Sequence, residues 1–417
     1  MMRNLYYYTL MTEPLAYLDS RCDQMIDLIT RLANLNSYSY HLPGLLAVAD
    51  LLRREFAALE PDSVDTIPLA AAETLSQTGE ILHTALGDLL SFVKRPNAPL
   101  QVLLVIHYDT VYRADHPFQS VTREDAGTLR GPGVADAKGG IVVMLNALLA
   151  FEQSPHAKNI GWRVLLNPDE EIGSPGSAPL LADAAQKANL ALVFEPAPTA
   201  DTLVTQRKGS GNFSVIFHGR SAHAGREIHK GRNAVIAAAR FALDAIAAIS
   251  AIGEEVTINV GKIDGGGPVN VVPDMAILRF NVRVVTAEHQ RRVEAVLADL
   301  IRTAHRDDIT ATLHGHFSSP PWVMGEAGRR LFASLCAGGR TLGLDLRATS
   351  SGGASDANKI APTGLPVLDS LGPVGADIHS SNERVVIDSL VERSKLSALL
   401  LMKMAEGEMP FSASPMQ

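Results

Sequence analysis

Histidine and carboxylate side chains follow directly on several apolar runs of this sequence. QVLLVI (101–106) runs into His107 and Asp109, and WRVLL (162–166) into Asp169, Glu170 and Glu171. LALVF (190–194) runs into Glu195, and VLDSLGPVGADI leads to His379. Imidazole and carboxylate are the ligands zinc takes where thiolates are missing. A lone histidine or glutamate just past a strand is ordinarily a solvated loop residue. Agreement between separate strand ends weakens that reading, because sites in open α/β sheets collect at the carboxyl ends of the strands. Asp136 strengthens the pattern. It sits in GPGVADAKGG (131–140), a glycine-rich turn before a helix that matches neither GxGxxG nor GxxxxGKS/T, the phosphate-cradling patterns.

The elements that must carry these side chains are legible from hydrophobic spacing. Residues 43–60 and 139–152 have apolar residues at helical spacing. Residues 101–106, 162–166 and 190–194 are short continuous apolar runs, as expected of strands buried on both faces. This alternation predicts an α/β domain with a mostly parallel sheet and helices on both faces. Between 209 and 319 the rhythm changes. Strand patterns at 212–219, 254–263, 278–284 and 309–317 enclose helical patterns at 233–249 and 287–305. In 278–284, Leu278, Phe280, Val282 and Val284 alternate with Arg279, Asn281 and Arg283, the period of a half-buried strand. The order βαββαβ predicts a small split-βαβ domain inserted into the larger one. The α/β pattern resumes at LPVLDSL (365–371) and closes with a helix over 388–406. The expected division is 1–208 with 320–417 for the α/β domain and 209–319 for the insert. The expected linkers are RKGSG (207–211) and SSPPW (318–322).

Composition excludes several classes. The 417 residues are 46% hydrophobic and 20% charged, enough for a large core and too long for one ordinary domain. Lys and Arg number 37 against 45 Asp and Glu, a net charge of −8, which argues against a nucleic-acid binder. Two cysteines, Cys22 and Cys336, cannot build a disulfide scaffold or a thiolate-rich zinc site. No run approaches the ~18 apolar residues of a membrane span. The N-terminus reads as having no signal peptide, with Met11 an alternative start, and the expected compartment is the cytoplasm.

Taken together, HYDTV (107–111), GPGVADAKGG (131–140), DEEIGSPGS (169–177), FEP (194–196), GRSAHAG (219–225), NVVP (270–273) and HSSNE (379–383) stand in the order of one family. The chain resembles the di-zinc metallopeptidases and amidohydrolases of clan MH. FEP, SGGASDAN (351–358) and SLGPVG (370–375) bring it nearest the glutamate carboxypeptidase branch. The resemblance implies two Zn2+ ions per chain, with Co2+ or Mn2+ as substitutes. It assigns His107 and Glu195 to one ion, Glu171 and His379 to the other, and Asp136 to both. Asp109 would orient His107, and Glu170 would be the general base. The Asp136–Ala137 peptide bond would be cis. His223 would reach the active site of a partner subunit in a homodimer and stabilise an oxyanion. Asn270 and Arg283 would hold a substrate carboxylate, and Gly353 would shape the pocket floor. The insert would serve as a lid and dimerisation domain.

The chemistry suits these residue types. Paired metal ions lower the pKa of water towards ~7, and an adjacent carboxylate can then take its proton during attack on an amide. The implied activity is zinc-dependent hydrolysis of an amide next to a free carboxylate, in a small peptide or N-acyl amino acid. A carboxypeptidase is the first reading. An N-acyl-amino-acid deacylase is the alternative, and a non-catalytic binder the remaining one. No residue in RKGS (207–210) matches a glutamate-recognising position, so glutamate specificity is not implied.

Overall fold

The computed structural model describes residues 13–407, so the candidate start Met11 lies outside the described residues. The strands that matter here are β1 (Ser63–Pro68), β2 (Asp88–Lys94), β3 (Leu100–His107), β4 (Ile160–Asn167), β5 (Leu190–Val193), β6 (Gly209–His218), β7 (Thr257–Gly265), β8 (Met275–Val284), β9 (Thr310–Ser319) and β10 (Val367–Leu368). Five of the helices are α1 (Lys138–Phe151), α2 (Ala234–Ser250), α3 (Ala287–Ala304), α4 (Ala357–Ile360) and α5 (Ile387–Ala405).

One sheet has the spatial order β1-β2-β4-β3-β5-β10. β4, β3, β5 and β10 run parallel, while at one edge β2 pairs antiparallel with β4 and β1 antiparallel with β2. The apolar runs are central: Val102 to Ile106 and Val164 to Leu166 are buried throughout. Helix α1 is buried nearly all round, packed against β3 and α5. That explains a sequence with almost no polar face. Its start requires glycine: a Cβ on Gly140 would stand 2.0 Å from the carbonyl oxygen of Phe194, at the end of β5. Close approach here sets the turn carrying Asp136 beside the strand end carrying Glu195. The Asp136–Ala137 bond is cis.

A second, four-stranded antiparallel sheet has the order β7-β8-β6-β9. Its elements follow in chain order as β6, α2, β7, β8, α3 and β9. Leu278, Phe280, Val282 and Val284 are buried beneath α2 and α3, leaving Arg279, Asn281 and Arg283 on the polar face. Both helices start with side-chain caps, as Asn233 accepts from Ile236 N and Thr286 from His289 N. The core of this unit draws its buried members from Phe213 to Phe317, and the other core draws none from that stretch. The connections are short. Thr202–Arg207 is a strand beside β6 in sequence, so Lys208 alone separates them, and the chain returns from β9 through Pro320–Pro321.

Gly140→Ala should force the α1 start away from Phe194. Overpacking of this kind costs about 1–3 kcal/mol. Denaturant titration should show that loss for Gly140→Ala and none for Gly325→Ala, where a Cβ meets nothing within 4 Å. Equal stability of the two variants would mean the helix start tolerates displacement.

Candidate metal centre

Parallel pairing brings the chemistry to one edge. In the β3–β4 register His107 lies opposite Asn167, so the two strands end in step. His107 ends β3 and Asp109 follows it. Past β4 a short turn, Glu170–Ile172, presents Glu170 and Glu171. Past β5 stands Glu195, and the turn before α1 supplies Asp136. His379 arrives from the loop after Gly375–Ala376.

The Asp136 carboxylate lies between two imidazoles. Its Oδ1 is 3.0 Å from His107 Nε2 and its Oδ2 is 3.2 Å from His379 Nε2. His379 Nε2 is also 3.0 Å from Glu171 Oε2, and His107 Nε2 is 3.9 Å from Glu195 Oε1. His107, Asp136 and Glu171 offer ligand atoms within 4.8 Å of one another. The five residues therefore fall into two overlapping groups that share Asp136.

Asp109 organises the cluster from behind. Its Oδ1 is 3.2 Å from His107 Nδ1 and accepts from Glu170 N, while its Oδ2 accepts from Glu171 N and from Ser39 Oγ at 2.6 Å. One buried carboxylate thus orients the imidazole and the Glu170–Glu171 turn together. Asp169, although next in line, turns away. It accepts from Gly176 N, Ser177 N and Ser177 Oγ and shapes its own loop.

The acids are short of positive charge. Burial pushes Glu195 up to about 8 and Glu171 up to about 7, and drives Glu170 well above the carboxylate range. Burial opposes ionisation of Asp136 too, but hydrogen bonds from His107 and His379 hold it below the usual range. Hydrogen bonds to Asp136 and Glu171 raise His379 to about 11. Crowded hard carboxylates with two imidazoles and no thiolate are the donor set of zinc and similar divalent ions. These residues fit such ions.

Other expected site residues lie apart. His223 is exposed and accepts from Gly225 N, and Asn270 is exposed beside it, its carbonyl accepting from Ala224 N. Arg283 is half-buried on the polar face of β8, donating through Nε to Asn281 Oδ1. The Gly353 carbonyl accepts from Arg207. None of the four makes a hydrogen bond or ion pair to the metal-capable cluster among the described residues. A cavity of about 890 Å³ separates the two sheets, with Tyr40, Ile172 and Ser174 on one side and Asn212, Arg279 and Asn281 on the other. It begins at the loop following Glu171.

Glu383 has a position that reading the sequence did not assign. It is fully buried, and its Oε1 accepts from Ala135 N and Asp136 N. Its Oε2 accepts from Gly133 N and from Tyr112 Oη at 2.7 Å. It clamps the Asp136 turn to the His379 loop. The available signal was an acid inside HSSNE, directly before an apolar strand. Glu383→Gln keeps the size but replaces one acceptor oxygen with a donor. Loss of a residue behind a ligand typically costs 10–100-fold in metal affinity. Competition against a chromogenic chelator should show about that loss, and unchanged affinity would remove Glu383 from this role.

The comparisons agree with the geometry. The model of Peptidase family M20/M25/M40 matches residues 103–403. Carboxypeptidase G2 of Pseudomonas sp. (strain RS-16) is 30% identical over 313 residues, 74% of this chain and 74% of that protein. Succinyl-diaminopimelate desuccinylase of Hahella chejuensis is 29% identical over 381 residues, 85% of this chain and 95% of that one. Among solved structures, a tripeptidase from Staphylococcus aureus matches with TM-score 0.71 at 23% identity, covering 92% of this chain and 99% of its own. An M20 family metallo-carboxypeptidase from Sulfolobus solfataricus matches with TM-score 0.70 at 16% identity over the same shares. These two structures share the fold. With metal-capable acids and imidazoles gathered at one edge of the parallel sheet, the chain belongs to peptidase family M20/M25/M40 and is a metal-dependent hydrolase.

Proposed function

We propose that this chain is a carboxypeptidase, hydrolysing an amide bond next to a free carboxylate in a small peptide or N-acyl amino acid. The observation that carries the reading is Asp136 between two imidazoles with the Glu170–Glu171 turn beside it. His107 and Glu195 would hold one divalent ion, His379 and Glu171 a second, and Asp136 both. When bound, two zinc ions supply Lewis-acid polarisation of water and of the amide carbonyl. Asp109 keeps His107 in the tautomer whose Nε2 faces Asp136. Glu170 accepts a proton from the attacking water at its carboxylate and delivers it to the leaving nitrogen. Burial and the neighbouring acids raise its affinity for a proton, so that, ionised beside bound cations, it is a stronger base than an exposed carboxylate.

Arg283 supports a carboxylate-bearing substrate. It is half-buried and has no ion pair among the described residues, so its terminal amino groups remain available to a planar anion. Asn270 would assist. Residues 209–319 would act as a lid, and His223 would stabilise the developing oxyanion across a homodimer. The expected compartment is the cytoplasm. Among the described residues no helix is long and apolar enough to cross a membrane. The relatives named as desuccinylases favour a second reading, an N-acyl-amino-acid deacylase, which shares the chemistry and differs in the acyl group.

Glu170→Gln keeps the shape and removes the basicity. Turnover should fall by at least ~10²-fold, the low end for general acid–base catalysis, with metal content unchanged by elemental analysis. Near-normal turnover would assign the proton transfer elsewhere.

Matched free-acid and amide forms across a panel of N-acyl amino acids and dipeptides test the carboxylate. A charge-assisted hydrogen bond of about 1.5–3 kcal/mol corresponds to roughly 10- to 100-fold in kcat/KM. Arg283→Ala should lose about that factor on the free acid and little on the amide. Equal cleavage of both forms by the native enzyme would overturn carboxylate recognition.

A further inference from the structure

The segment SDANK (355–359) joins three parts of the molecule that are distant in sequence. Lys359 is 7% exposed, on the short helix α4. Its ammonium donates to Gly173 O at 3.0 Å, to Ser318 O at 2.5 Å and to Ser319 Oγ at 2.7 Å. An ammonium has three donors, and here each has an acceptor. Gly173 belongs to the turn that presents Glu170 and Glu171, and it closes that turn with φ 95. Ser318 and Ser319 end β9, where the chain leaves the second sheet. A Cβ on Gly173 would stand 3.1 Å from Ser318 Oγ, so the turn and the strand end are also in direct contact.

The neighbouring residue reinforces the junction. Asn358 Nδ2 donates to Lys208 O and to Pro320 O, the two places where the chain passes between the sheets. Asp356 Oδ1 accepts from Ser174 Oγ at 2.6 Å, fixing the far side of the same turn. Movement of the β6–β9 unit relative to the metal centre must bend the chain at Lys208 and at Ser318–Pro321. Each of those points is tied, through α4, to the turn bearing Glu170.

We propose that Lys359 is a positioning residue for the reaction, locking the Glu170–Glu171 turn to the two crossings of the 209–319 unit so that Glu170 is placed correctly only when that unit is. The inference rests on the reading of Glu170 as the base. Among the described residues Lys359 makes no hydrogen bond or ion pair to the metal-capable side chains, and it acts through the backbone at Gly173. Neutral side chains of similar length cannot replace it, since methionine donates nothing and glutamine cannot fan three hydrogens around one atom.

The test uses metal-loaded full-length protein with the best free-acid N-acyl amino acid as substrate. Displacing a reacting group by about 1 Å can cost ~10²-fold. Lys359→Met should keep its metal and hold KM within about threefold, while kcat falls roughly 10- to 100-fold. Ser319→Ala, which removes one acceptor and strands no charge, should give a smaller fall in kcat with the same split. On a Glu170→Gln background, Lys359→Met should cause little further loss, because the two act as a unit. Native kcat in Lys359→Met, loss of activity only in proportion to lost metal, or full additivity with Glu170→Gln would each overturn the proposal. Should Lys359→Met fail to fold, native kcat in Ser319→Ala overturns it instead. Glu170→Gln alone separates the two readings. If that variant is inactive while Lys359→Met is native, only the positioning role falls. If it is active, the assignment of the base falls first.

Discussion

Like charges gathered in a water-poor crevice repel, and desolvation raises the free energy of each ionised group. Glu170, Glu171 and Glu195 all hold their protons more tightly than exposed acids do, with burial the leading cause. A fold can keep such a cluster only by surrounding it with donors and by leaving room for cations. Asp109 receives two backbone amides and a hydroxyl, and Glu383 three backbone amides and a phenol. Arg207, itself buried, pairs with Asp369 beside the same cluster. The remaining deficit of positive charge is what divalent ions would fill.

The parallel sheet makes this concentration possible. Strands ending in step at one edge deliver side chains from stretches far apart in sequence to within a few ångströms. The edge is stiff because its strands are apolar on both faces, and the metal-capable side chains inherit that stiffness. Loops then refine the placement. The Asp136 turn is pressed against the end of β5 by glycine, and the His379 loop is held through Tyr112 and Glu383.

The second sheet is attached differently. It has its own core and is joined covalently by Lys208 and by Pro320–Pro321. Its polar face looks across the cavity towards the loop following Glu171. Arg279 also donates to Ser76 O, in the 72–84 hairpin that precedes the parallel strands. Substrate bound between the units would therefore contact both, which is the arrangement by which binding energy can assemble a reactive site.

Much of this was legible without coordinates. The apolar runs at 101–106, 162–166 and 190–194, and the alternation in 278–284, identify their strands because burial imposes a period on the side chains. The metal-capable residues stood out because imidazoles and acids follow three apolar runs of one buried sheet. The mostly exposed strand β1, the hairpin at 72–84 and the strands Thr202–Arg207 and Arg347–Ser351 gave no comparable signal. Their pairing is decided by neighbours in space. The same holds for Glu383, Asp356 and Lys359. In sequence each is one more charged residue in a loop, and nothing local distinguishes a solvated lysine from one whose three hydrogens meet three protein acceptors. Residue type and period fixed which side chains could bind metal. Which of them meet, and which charges sit behind them holding the turns in place, depended on long-range packing that only the folded chain contains.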